Sequence, residues 1–140
     1  MERMEKNMIV SLTLPNAPEF VSVARLALSG VADRMGFDVD DIEDLKVAVS
    51  EACTNALKHG SKKEGGKYFV HYTIKEKKLI IDVCDDGKGI DIENIKTPDL
   101  DHPKESGLGL YIIQTLMDEV EITNRENNGA SIRMIKNMRE

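Results

Sequence analysis

Apolar and strand-favouring residues partly alternate along Met8-Ile9-Val10-Ser11-Leu12-Thr13-Leu14, which predicts a first strand. Pro15-Asn16-Ala17-Pro18-Glu19 stops it, with Asn16 as the expected helix N-cap and Glu19 completing a capping box. Phe20, Val23, Ala24, Ala27, Val31 and Met35 then recur at helical spacing, and Gly36 ends that helix. A second helix starts near Asp38 or Asp40, carries the stripe Ile42, Leu45, Val49, Ala52, Cys53 and Ala56, and closes at His59-Gly60. After a turn over residues 61–67, residues 68–74 and 79–83 read as a hairpin around a charged link at 75–78. Residues 108–117 are apolar and helical in length. Residues 120–123 and 130–135 finish as strands around Asn127-Asn128-Gly129.

Residues 85–102 break every period except for one short helix at 91–95, and poorly periodic loops of that size in compact domains are often lids. The order β-α-α-β-β-loop-α-β-β predicts an α/β (α+β) two-layer sandwich, with helices on one face of a mixed, mainly antiparallel sheet.

Composition narrows the class. The 140 residues suit one domain with one core, with 1–7 as a flexible start. No run approaches the roughly 18 apolar residues of a membrane span, and the opening residues lack the apolar stretch of a signal peptide. Two cysteines, Cys53 and Cys84, are too few for a disulfide framework and fit a reduced, cytoplasmic setting as buried thiols. A formal charge of −6 and an aromatic content of 4% argue against nucleic acid as the main partner. His59, His71 and His102 share no zinc-binding spacing with the cysteines.

Three constellations have chemistry to offer. Glu51, Asn55 and His59 recur every four residues and so line one ridge at the edge of the apolar stripe. A half-buried carboxylate there can take a proton, and an amide oxygen can hold a hard cation such as Mg²⁺. Asp85-Asp86-Gly87-Lys88-Gly89 ends an apolar strand, where the glycines let backbone approach a flat ligand and Asp85 can accept an exocyclic amine. Glu105-Ser106-Gly107-Leu108-Gly109-Leu110 opens the last helix, whose first-turn N–H groups suit an anion. Singly, each also fits an ordinary feature: a boundary ridge, a strand-ending turn, a glycine-rich helix entry. Together, in this order, they supply base and metal, purine and phosphate contacts.

Glu51-x-x-x-Asn55-Ala56-x-x-His59-Gly60 resembles the N box of the gyrase, heat-shock chaperone, histidine kinase and mismatch-repair ATPase superfamily. Asp85-x-Gly87-x-Gly89 resembles its G1 box, and Gly107-Leu108-Gly109-Leu110 its G2 box. Within the superfamily, Ser50-Glu51-Ala52-Cys53-Thr54-Asn55-Ala56 and the run from Gly107 to Val120 resemble the bacterial anti-sigma-factor serine-protein kinases.

That resemblance implies a Bergerat-type ATP-binding fold over nearly the whole chain, with residues 91–106 as the ATP lid. It implies that Asn55 holds Mg²⁺ bridging the ATP phosphates and that Glu51 is the general base for an incoming serine hydroxyl. Asp85 would bind the adenine amine, in a pocket shaped by Gly87 and Gly89. Ser106 and the amides of Gly107, Leu108 and Gly109 would meet phosphate. Family members often carry a basic residue shortly before the G2 glycines. Here Glu105 stands two before Gly107, and Lys104 is the cation expected to reach in.

The implied function is an ATP-dependent serine-protein kinase and anti-sigma factor. It would sequester a sigma factor, phosphorylate a STAS-type anti-anti-sigma partner, form a homodimer, and bind neither nucleic acid nor membrane. The alternatives are a nucleotide-binding interaction module with little transfer, or a detached histidine-kinase-like catalytic domain. The second of these normally works beside a phosphoacceptor helix pair, for which 140 residues leave no room.

Overall fold

The computed structural model describes residues 8–60, 65–87, 105–124 (side chains from 107) and 129–139. Strand β1 is Met8–Pro15, helices α1 and α2 are Val21–Met35 and Val39–His59, and strands β2 and β3 are Lys67–Ile74 and Lys78–Asp85. Helix α3, Glu105–Leu116, precedes strands β4, Glu119–Asn124, and β5, Ala130–Asn137. The strands form one sheet in the order β1-β2-β3-β5-β4. Every pairing is antiparallel, so the expected mixed sheet is antiparallel throughout the described residues. The chain leaves β3, passes through α3 to the outer edge as β4, and turns back as β5 between them.

Side-chain alternation decides which face is covered. Tyr68, Val70 and Tyr72 of β2, Leu79, Ile81 and Val83 of β3, and Ile132 and Met134 of β5 point inward against α1, α2 and α3. They meet Leu28, Leu45, Val49, Ala52, Cys53, Leu110 and Ile113, all fully or almost fully buried. Each such aliphatic side chain contributes about 1.5–3 kcal/mol by leaving water. Tyr72 also joins the layers by polarity, since its hydroxyl donates to the Ala24 carbonyl at 2.6 Å. On the opposite face, the register aligns Ser11, His71, Asp82, Arg133 and Glu121 in one row across five strands. There Arg133 grips Asp82 with two hydrogen bonds of 2.8 and 3.1 Å.

The same alternation sends two polar side chains inward. Asp85 ends β3 on the helix side, and Lys136 does so near the end of β5. Lys136 Nζ donates to the Leu116 carbonyl at 2.8 Å and lies 3.9 Å from Asp41. Asp41, in the first turn of α2, also accepts from Arg139 at 2.8 Å.

Two helix boundaries follow the expected chemistry. Asp38 caps α2 by accepting the Asp41 N–H at 2.8 Å, and Gly36 closes α1 at a left-handed φ of 99°. The entry to α1 differs from the expected Asn16 capping box. A 3₁₀ turn, Pro18–Phe20, leads in, and neither its cap residue Ala17 nor Phe20 at the cap of α1 uses a side chain. Pro18 has no N–H to satisfy and fixes φ for a helical start, so it supplies the entry instead. Of the two thiols expected to be buried, Cys53 is, and burial pushes its pKa up to about 12. Cys84 is only half-buried, because it faces the side of the sheet away from the helices. Met117 packs in the core.

Candidate active site

Helix α2 runs between the other two helices and over β3, so its polar ridge ends up at the junction of all the candidate segments. Ala52, Cys53 and Ala56 anchor the apolar side, which leaves Glu51 and His59 half-buried and turns Asn55 inward at 3% exposure. Among the described residues, the Asn55 Nδ2 has no hydrogen-bond partner. A buried amide donor without a partner forfeits about 1–3 kcal/mol, and functional sites are where such a debt persists.

Helix α3 supplies the second wall. It begins at Glu105, three residues before the expected start, so the glycines of Gly107-Leu108-Gly109 lie within its first turns rather than ahead of it. Gly109 is buried against the ridge: a methyl group there would sit 2.8 Å from Glu51 Oε1 and 3.7 Å from Asn55 Nδ2. Gly107 faces open space by the same measure, with Leu108 half-buried between them. The first and third constellations are therefore in contact.

The second constellation closes the other end of α2. Asp85, 3% exposed, accepts the Gly87 N–H at 2.8 Å and the Ala130 N–H at 3.3 Å, both on Oδ1. Burial raises its pKa, and these two N–H bonds and the nearby His59 partly offset that. Gly87 lies so close to the His59 carbonyl and the Gly60 backbone that any side chain there would collide with main chain. Gly129 is equally tight against the Asp85 carbonyl, and a side chain on Gly60 would touch the Asp85 Cβ at 3.5 Å.

Glu51, Asn55, Asp85, Gly87, Gly107, Leu108 and Gly109 are thus gathered around α2. Gly89, Lys104 and the expected lid over 91–106 lie outside the described residues, apart from the start of α3. Ser106 is in the first turn of α3 with its side chain outside them. Sequence reasoning missed Gly60, Gly129 and Ala130 as parts of the Asp85 pocket. The first two carried a local signal as helix-end and turn glycines. The approach of Gly129 and Ala130 to Asp85 follows from the β3–β5 register, which pairs Cys84 with Ser131, and that of Gly60 from the packing of α2 on β3.

Comparison with known proteins identifies the family and the fold. Residues 14–136 match the family described as a histidine kinase-like ATPase domain. The chain is 41% identical to the serine-protein kinase RsbW of Bacillus thuringiensis, over 97% of this chain and 87% of that protein. The RsbW of Bacillus anthracis is 40% identical over the same shares. Among solved structures, the RsbU and RsbW domains of a Mycobacterium tuberculosis protein superpose with a TM-score of 0.70 at 20% identity, covering 94% of this chain and 32% of that one. The catalytic domain of the histidine kinase ThkA does so at 0.60 and 18%, covering 94% and 96%.

The fold and the family match define an ATPase domain of the histidine kinase-like type. Within that class, the chain belongs to the RsbW family of serine-protein kinases.

Among the described residues, no helix is long and apolar enough to cross a membrane.

Proposed function

We propose that this kinase is an anti-sigma factor that captures a sigma factor of RNA polymerase and phosphorylates a serine of a STAS-type anti-anti-sigma protein. The observation that carries the reading is the meeting of Glu51 and Asn55 with Gly109 on one side of α2, while the Asp85 pocket closes its end. One helix thereby spans the distance from purine to terminal phosphate. The 41% identity to RsbW proteins supports the choice of a protein serine as acceptor.

Each residue has a role in this reading. Asp85 accepts the adenine amine in a pocket shaped by Gly87, which lets the His59–Gly60 main chain pack close, and by Gly89. The amides of Gly107, Leu108 and Gly109, with the positive end of α3, meet the phosphates, joined by Ser106 and by Lys104 at the terminal phosphate. The side-chain oxygen of Asn55, on a residue buried beside Glu51, would be the ligand to Mg²⁺, a hard cation that takes oxygen donors, while its Nδ2 remains a donor and has no part in holding the ion. That ion would supply charge neutralisation on the phosphates. Glu51, half-buried and beside the phosphate end, takes the proton of the serine hydroxyl as it attacks. Phosphoryl transfer depends mostly on such positioning, and the base adds about 10²–10⁴-fold.

The chain works as a homodimer in this reading, with protein partners rather than nucleic acid or membrane. Incubation with labelled ATP and purified STAS-domain proteins tests it. Label on a STAS serine supports the proposal. Label on a histidine, or ATP binding with no transfer to any STAS protein, contradicts it.

A further inference from the structure

Gly109 and Gly107 belong to one short motif yet face different surroundings. A methyl at Gly107 meets nothing within 4 Å, whereas one at Gly109 would stand 2.8 Å from Glu51 Oε1 and 3.9 Å from its Cδ. The colliding atom is the tip of a flexible side chain, not backbone. The helix has no need to move, because the carboxylate can swing away. Asn55 Nδ2, at 3.7 Å, stays in ordinary van der Waals contact.

We infer that Gly109 is a positioning residue for Glu51: its missing side chain is the space in which the Glu51 carboxylate is held beside the phosphate end of the site. This assigns the second G2 glycine a task distinct from offering its backbone amide to phosphate, since alanine offers the same amide. It rests on the reading of Glu51 as the base, and it also makes a claim about packing that can be checked without catalysis.

Gly→Ala inside a helix favours the helix by its propensity, so Gly109→Ala folds and melts within a few degrees of the native chain. Its amide remains, so ATP affinity stays within about threefold. The carboxylate is displaced by an ångström or more, and a general base must sit within hydrogen-bond reach of its proton, at about 2.6–3.2 Å. The loss therefore falls on the transfer rate, by at least about tenfold at saturating ATP. The shorter acid in Glu51→Asp withdraws from the contact, so adding Gly109→Ala to it costs no further activity.

The test uses the full chain in three forms: native, Gly109→Ala and Gly107→Ala. The ¹³C signal of the Glu51 carboxyl is recorded by NMR without nucleotide, with ATP affinity and single-turnover transfer to the STAS serine measured beside it. The inference expects the Glu51 signal to move in Gly109→Ala and to stay in place in Gly107→Ala. It also expects the Gly109→Ala defect to lie in the rate rather than in ATP affinity. An unmoved Glu51 signal overturns it, as does a defect that saturating ATP abolishes. A signal that moves, in a protein whose Glu51→Gln variant still transfers phosphate at the native rate, upholds the packing claim and removes Glu51 as base.

Discussion

The carboxylate of Asp85 reaches across from the end of β3 to accept the N–H of Ala130, the first residue of β5, at 3.3 Å. With the 2.8 Å bond from Gly87, this holds one oxygen of a buried acid through two backbone N–H groups. In the proposed reading this is the purine end of the site, so its integrity would depend on strand pairing as much as on Asp85 itself.

Asp85→Asn removes the charge-assisted acceptor for the adenine amine, so ATP affinity should fall at least tenfold, with less preference for adenine over guanine nucleotides. Titration calorimetry with ATP and GTP reads both. Unchanged ATP affinity would remove Asp85 from the purine pocket.

The pH dependence follows from the same burial. Because the pKa of Asp85 is raised above its ordinary 3.8, ionising it opposes folding. Its contribution to stability is full below 3.8 and is lost as pH rises through the raised value. Adenine binding needs the ionised form and draws the equilibrium the other way. The affinity ratio of the native chain to Asp85→Asn should therefore shrink as pH falls from neutrality through the raised pKa. Protonation of ATP cancels in that ratio. A ratio that stays constant down to the ordinary value of 3.8 would separate Asp85 from the amine.

Gly129→Ala tests the clamp behind Asp85. The new methyl collides with the Asp85 carbonyl, and main chain in a paired strand cannot swing aside. Overpacking of this kind costs about 1–3 kcal/mol. Denaturant melts should show that loss, accompanied by weaker ATP binding. A variant as stable as the native chain would mean that the β3–β5 junction yields more readily than its register implies.

Asp41 ties the start of α2 to the end of the chain. It is 2% exposed and faces both Lys136 and Arg139. Removing it leaves the buried Lys136 ammonium with the Leu116 carbonyl but no counter-charge, and an uncompensated buried charge costs about 3–5 kcal/mol. Because the Leu116 bond persists, Asp41→Ala should cost about 2–4 kcal/mol. Arg139→Ala should cost less than about 1 kcal/mol, because that side chain is 69% exposed. Equal costs for the two substitutions would show that the Asp41–Lys136 approach, at 3.9 Å, contributes little.

Much of this was legible in residue order. The stripe through Leu45, Val49, Ala52 and Cys53, the alternation of Tyr68, Val70 and Tyr72, and the left-handed Gly36 are local signals, and each appears where its period placed it. The spacing of Glu51, Asn55 and His59 likewise placed them on one ridge. Long-range consequences were not legible. Gly129 reads as a turn residue until the β3–β5 register brings it against Asp85, and Lys136 reads as a surface lysine until alternation turns it inward. The capping box at Asn16 was a plausible local pattern overridden by a stronger one, the fixed φ of Pro18.

The most direct test of the account is single-turnover transfer from labelled ATP to the STAS serine, at saturating nucleotide, by the native chain and by Glu51→Gln. Equal ATP affinity and a rate lowered by about 10²–10⁴-fold in the variant are expected. Transfer at the native rate by Glu51→Gln would contradict the account.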